Sequence, residues 1–174
     1  MRLSDKPLIT AEAIRKRVNE LGAAITRDFA GHTPLMLTVL KGAAPFSADL
    51  MRAIHLELTL EYVRAQSYAG AESTGTVEFH FFPDHALAGR DVVVVEDILD
   101  TGRTATALTA RLKEAGVASV SVATLLDKPE CRVVPIEANY VGFEIGPEFV
   151  VGYGLDHDEQ YRHLDAVYTV MEMD

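Results

Sequence analysis

Two spacings organise the apolar positions of this chain. After Thr10, the residues Ile14, Val18, Leu21, Ile25 and Phe29 recur at steps of four, three, four and four. Residues three and four apart share one face of a helix, so this stripe predicts a packing helix with Thr10 as N-cap and Gly31 as its stop. Phe46, Leu50 and Ile54 begin a second helical stripe behind Pro45, and Leu108 and Leu112 mark a third over residues 105–115, stopped by Gly116. Between these stripes lie short apolar runs without polar alternation, at residues 35–40, 92–95 and 118–126. Such runs predict strands covered on both faces. Residues 58–64 and 76–82 alternate instead and predict two half-buried strands, joined by about eleven small, polar, glycine-containing residues. A connection of that length inside a compact domain suggests a functional loop, here a long hairpin with a lid at its tip.

Beyond residue 130 the pattern changes. Pro135, Gly142, Gly146, Pro147, Gly152 and Gly154 break the chain into short strands over 140–145, 149–153 and 166–171. Strand, helix and strand in succession predict an α/β fold. We expect an open, mainly parallel twisted sheet flanked by helices, with a small C-terminal hood. The whole chain, 1–174, reads as one domain, with a core over about 10–128 and a hood over about 129–174 joined by the N-terminal lead-in.

Composition narrows the partners. Sixteen basic and 26 acidic residues leave a formal net charge of −10, which argues against nucleic acid and anionic membrane as partners. Cys131 is the only cysteine, so no internal disulfide forms. Neither a signal-peptide core nor a run of membrane-spanning length is present, which makes a cytoplasmic location the expectation.

The candidate chemistry gathers at strand ends. The valines at 92–95 run into Glu96 and Asp97; Asp100 follows, and Thr101-Gly102-Arg103-Thr104 then opens a helix. Free N–H groups at a helix N-terminus, two hydroxyls and a guanidinium suit a phosphate, while the upstream acids suit sugar hydroxyls or a metal. Together they suggest a ribose 5-phosphate site. Lys41-Gly42 follows another buried strand and is a candidate for a second anionic group. Asp127-Lys128 ends a third, and a salt bridge between these two neighbours is expected to tune the lysine. His32, His55, His80, His85 and His163 show no metal-ligand spacing and are read as surface or structural.

Residues 92–104 resemble the 5-phosphoribosyl-1-pyrophosphate motif of type I phosphoribosyltransferases. Leu40-Lys41-Gly42 resembles that family's pyrophosphate loop, with a non-proline cis peptide before the lysine, and Ser67-Tyr68 its closing lid. The runs 141–145 and 149–156 resemble the purine hood of the hypoxanthine–guanine branch. The resemblance implies transfer of a 5-phosphoribosyl group to N9 of a 6-oxopurine, giving a nucleoside 5′-monophosphate and pyrophosphate. It assigns Asp100 as general base at the purine N7. Glu96 and Asp97 go to the ribose and a Mg²⁺ cofactor, and Thr101, Gly102, Arg103 and Thr104 to the 5′-phosphate. Lys41, Gly42 and Arg162 go to pyrophosphate, Lys128 to the purine 6-oxo group, Phe149 to stacking on the base and the Val150 backbone to the purine edge. Asp156 is a further metal-side acid. A homodimer or homotetramer is implied too. Two departures stand out: Ala43, where a second glycine is common, and His157, where an aromatic is frequent. A xanthine-preferring transferase is the nearest alternative. A nucleotide-sensing regulator that binds nucleic acid is the other, and the charge and the presence of Asp100 speak against it.

Overall fold

The computed structural model describes residues 2–67, 77–83 and 87–171. The order is β1 (Arg2–Leu3), α1 (Ala11–Asp28), β2 (Leu35–Leu40), α2 (Ala44–Ala53), β3 (Thr59–Ser67), β4 (Val77–His80), β5 (Asp91–Leu99), α3 (Arg103–Glu114), β6 (Ser119–Asp127), β7 (Tyr140–Glu144), β8 (Val150–Val151) and β9 (Tyr168–Met171). Thr10 caps α1 as expected, its Oγ1 accepting from the Ala13 N–H at 3.2 Å. The helix ends at Asp28, three residues short of Gly31, whose φ of +83° carries the turn beyond it.

Six strands form the main sheet in the order β4-β3-β2-β5-β6-β7. All neighbours are parallel except β4, which returns antiparallel along β3. The absence of alternation in the central strands is explained by their two covers. Met36, Val93 and Val95 pack with Ile14, Val18, Leu21 and Ile25 of α1 and Phe46 and Leu50 of α2. Leu35, Leu37, Val39, Val92 and Val94 pack on the other face with Leu108 and Leu112 of α3. Each successive side chain therefore meets an apolar layer.

One sequence expectation needs revising. The segment at 140–145 was placed in the hood, but β7 joins the main sheet as its edge strand, parallel to β6. Its glycine explains the placement: a Cβ on Gly142 would stand 2.2 Å from the Leu125 carbonyl oxygen, so this backbone lies against β6. The cap that remains is a three-stranded sheet, β1-β9-β8, which ties the N-terminal lead-in to the C-terminal strand. β5 continues through Glu96 and Asp97 to Leu99, and pairing with β6 persists to Leu99↔Asp127.

Strand order locates the site. From β2 the chain moves outward to β3, whereas from β5 it moves the opposite way to β6 and β7. Loops leaving the carboxyl ends of β2 and β5 thus diverge, and the crevice between them is where open α/β sheets receive ligands.

Candidate active site

Lys41-Gly42 leaves the end of β2, and the peptide between Leu40 and Lys41 is cis. Beside it, at the end of β5, stand Glu96 and Asp97. The two loops meet at one point. A Cβ on Gly42 would lie 1.6 Å from Asp97 Oδ2, so the carboxylate occupies the volume that any other residue would fill. Gly42 is not in the left-handed region, so this close approach is the reason for glycine here. Ala43, the first departure noted above, has φ −73° and starts α2, a backbone that needs no glycine.

The acid pair is electrostatically loaded. Glu96 is 5% exposed, and its Oε1 has no hydrogen-bond partner among the described residues. Burial, followed by repulsion from Asp97, holds its carboxyl well above the usual carboxylate range. Asp97 is pushed up to about 6, chiefly by burial; hydrogen bonds from backbone N–H groups and the Arg162 charge oppose the rise. Its Oδ1 accepts from the Ile98 N–H at 2.9 Å. Two desolvated carboxylates, one with an unpartnered oxygen, suit a hard divalent cation. Among the described residues no group of three or more His, Cys, Asp or Glu is arranged to hold a metal by itself. Mg²⁺ commonly takes one or two carboxylates and completes its shell with substrate oxygens and water, so the set present fits that ion.

Glu96 and Asp97 share a cavity of ≈ 240 Å³ with Asp100, Thr101, Gly102 and Thr104. Gly102, at φ +81°, turns the chain into α3, whose first N–H groups have no partner within the helix. Arg103 follows on the exposed surface. This loop is braced by a segment that sequence reading missed. Arg132 Nη1 donates to the carbonyls of Leu99, at 2.7 Å, and Asp100, and its Nη2 pairs with Asp127. The Val133 and Val134 N–H groups donate to the Thr101 carbonyl at 3.0 and 3.2 Å. The expected salt bridge between Asp127 and Lys128 does not form: Arg132 takes Asp127, and the 6% exposed Lys128 sends Nζ to the Glu148 carbonyl at 2.8 Å. The only sequence signal for Arg132 is a basic residue five positions after a strand-ending acid.

At the other end of the crevice the hood touches the Lys-Gly loop. A Cβ on Gly154 would be 2.0 Å from the Gly42 carbonyl oxygen. Arg162 donates to the Gly154 carbonyl at 2.7 Å and pairs with Asp156 at 2.8 Å. It also approaches Glu159 at 3.4 Å, and the same Glu159 oxygen lies 2.9 Å from Lys41 Nζ. The Lys41 contact is the main reason the Glu159 carboxyl is held below its ordinary range. Phe149 is 52% exposed and meets the ring of His157 edge-on at 5.5 Å, so the second departure supplies an aromatic neighbour after all. Val150 is buried and sits opposite Thr169 of β9.

The structure therefore brings Lys41, Gly42, Asp97, Asp156 and Arg162 together, and Glu96 with Asp100, Thr101, Gly102 and Thr104, around one crevice, while Arg103 stands on the surface beside it. Of the lid pair, Ser67 ends β3 opposite Val77 of β4, and Tyr68 lies outside the described residues. No helix among the described residues is long and apolar enough to cross a membrane.

Comparison with known proteins agrees with this geometry. Residues 8–158 match the family described as Phosphoribosyl transferase domain. The chain is 45% identical over 168 residues to the hypoxanthine-guanine phosphoribosyltransferase of Streptococcus thermophilus, covering 96% of this chain and 93% of that protein. It superposes on a crystal structure of a hypoxanthine phosphoribosyltransferase from Staphylococcus aureus with a TM-score of 0.92 at 41% identity, covering 96% of this chain and 91% of that one. A hypoxanthine-guanine phosphoribosyltransferase from Bacillus anthracis gives a TM-score of 0.92 at 40% identity, with 98% and 100% covered. With the sequence matched over nearly its full length and the fold superposing as closely, the chain belongs to the phosphoribosyltransferase family, in its hypoxanthine-guanine branch.

Proposed function

We propose that this protein transfers the 5-phosphoribosyl group of 5-phosphoribosyl-1-pyrophosphate to N9 of hypoxanthine or guanine. The products are the nucleoside 5′-monophosphate, IMP or GMP, and pyrophosphate. The observation that carries the reading is the meeting of two loops at the switch point of the sheet. One supplies a cationic Lys-Gly turn and the other an acid pair running into a helix N-terminus. An acidic protein binds a polyanionic donor by collecting its cations locally, and Lys41 and Arg162 already converge on one carboxylate.

The 5′-phosphate is taken by the backbone and hydroxyls of Thr101, Gly102 and Thr104, with Arg103 adding charge. Glu96 and Asp97 accept from the ribose hydroxyls. Lys41, the Gly42 backbone and Arg162 hold the pyrophosphate. Mg²⁺, held by Glu96 and Asp97 together with donor oxygens and water, with Asp156 on the metal side reaching it through that water, would neutralise charge on the pyrophosphate. As N9 bonds to C1′ and the bond from C1′ to the pyrophosphate oxygen breaks, Asp100 takes the proton that leaves N7 of the base. Lys128 donates to the 6-oxo group and so discriminates against a 6-amino purine, Phe149 stacks on the base, and the Val150 backbone faces the purine edge.

A panel assay tests this reading. Hypoxanthine, guanine, xanthine, adenine and uracil are each offered with the donor and Mg²⁺. Turnover is expected with hypoxanthine and guanine and not with adenine or uracil; no turnover with any base would overturn the proposal. A homo-oligomer of two or four chains is proposed from the family resemblance, and light scattering of the purified protein tests it.

A further inference from the structure

Two cations that are 121 positions apart in sequence, Lys41 and Arg162, reach the same oxygen of Glu159, at 2.9 and 3.4 Å. Glu159 sits at the tip of a tight turn. His157 and Gln160 exchange backbone hydrogen bonds at 3.3 and 3.0 Å across it, and the two residues between them, Asp158 and Glu159, have φ of +51° and +63°. Left-handed backbone at both central positions is the geometry of a type I′ turn, which favours Asn, Asp and Gly; a glutamate there is uncommon. The Asp156 carboxylate accepts the Glu159 N–H at 2.9 Å and secures the turn from below. The Glu159 side chain is nonetheless 65% exposed, so it is held over the two cations without being packed.

We propose that Glu159 is an intramolecular competitor for pyrophosphate. Its carboxylate stands in for the polyanion on Lys41 and Arg162 and has to release both before the donor or the product pyrophosphate can bind. The proposal rests on the assignment of Lys41 and Arg162 to pyrophosphate made above. A single exposed carboxylate holds such cations weakly, so a multiply charged anion displaces it. The displaced charge stays close by, on a turn that does not lengthen. Glu159 thereby sets pyrophosphate affinity below what the cations alone would provide, and it re-forms its pairs as the product leaves.

Calorimetric titration of magnesium pyrophosphate into wild-type protein, Glu159→Gln, Lys41→Ala and the double variant tests this. Glu159→Gln is expected to tighten pyrophosphate by up to about fivefold, the range open to an exposed ion pair, and to lower KM for the donor in step. Affinity for the nucleoside 5′-monophosphate, which does not use these cations, stays within about twofold of wild type. In the Lys41→Ala background the gain from Glu159→Gln shrinks. Unchanged or weaker pyrophosphate binding by Glu159→Gln, with a clear loss in Lys41→Ala, overturns the competitor role alone. No loss in Lys41→Ala overturns the pyrophosphate assignment and the proposal with it.

Discussion

Replacing Gly42 by alanine adds one methyl group at the point where the loop after β2 meets the end of β5. The new Cβ would sit 1.6 Å from Asp97 Oδ2, where real Cβ contacts essentially never fall below 3.0 Å. Something has to move by more than an ångström. The Gly42 backbone is pinned from behind by Gly154, and Asp97 is held by the Ile98 N–H at 2.9 Å. If the backbone yields, the cost is that of overpacking a tight interior, about 1–3 kcal/mol. For a domain of this size that lowers the melting temperature by about 2–12 °C. If Asp97 swings away instead, stability is spared and the acid leaves the crevice. Both routes lower kcat/KM. Thermal melts and steady-state kinetics of Gly42→Ala, Asp97→Ala and the double variant separate them. Because the clash is between these two side-chain positions, Gly42→Ala is expected to cost little once Asp97 is alanine, a non-additivity that a double-mutant cycle reads directly. A Gly42→Ala protein with wild-type melting and wild-type kinetics would refute the steric reasoning.

Three further outcomes follow from the site. The Asp97 carboxyl is raised from its ordinary 3.8 to about 6 in the folded protein, so the folded state holds that proton more tightly than the unfolded chain. Ionising the group therefore costs stability as pH rises from about 4 to about 6, by about 3 kcal/mol once complete. Asp97→Asn should melt several degrees above wild type at pH 8 without ligand, with the gap closing toward pH 4; a gap independent of pH would remove the burial explanation. Asp100→Asn should reduce turnover about 10²–10⁴-fold with donor affinity largely intact, and wild-type-like turnover would take Asp100 out of the base role. Lys128→Ala removes a charged donor worth about 1.5–3 kcal/mol. Its kcat/KM for 6-oxopurines should fall about 10–100-fold while KM for the donor moves little, and an equal effect on both substrates would contradict the assignment.

What could be read in advance was mostly local. Thr10 caps its helix because an N-cap needs only a hydroxyl and the N–H three residues on. The valines of β5 report burial on both faces because a strand exposes alternate residues to alternate layers, and both layers are apolar here. The loop proposed for the 5′-phosphate is legible because a helix N-terminus is built from contiguous backbone, with Gly102, at φ +81°, turning the chain into α3. Even the Lys-Gly pair could be recognised, although its physical reason, the Asp97 carboxylate lying where a Cβ would be, is visible only in three dimensions.

What stayed hidden were partnerships between residues distant along the chain. Lys128 and Asp127 are neighbours in sequence and point to different partners, because β6 ends at Asp127 and Lys128 already belongs to the turn that follows. Arg132 braces Leu99 and Asp100 across more than thirty residues. Arg17 of α1 donates to the carbonyls of Val141 and Gly142 in β7, more than 120 positions away, and ties that helix to the sheet edge. Hydrophobic spacing and backbone chemistry act over a few residues, so the sequence by itself determined most of the elements and the form of the 101–104 loop, and the family its motifs resemble implied the class of substrate. Which charges face each other depends on strand order and on how closely backbones approach. Only the tertiary structure could decide that Asp97 fills the space beside Gly42, that Tyr140–Glu144 belongs to the main sheet, and that Glu159 lies over both Lys41 and Arg162.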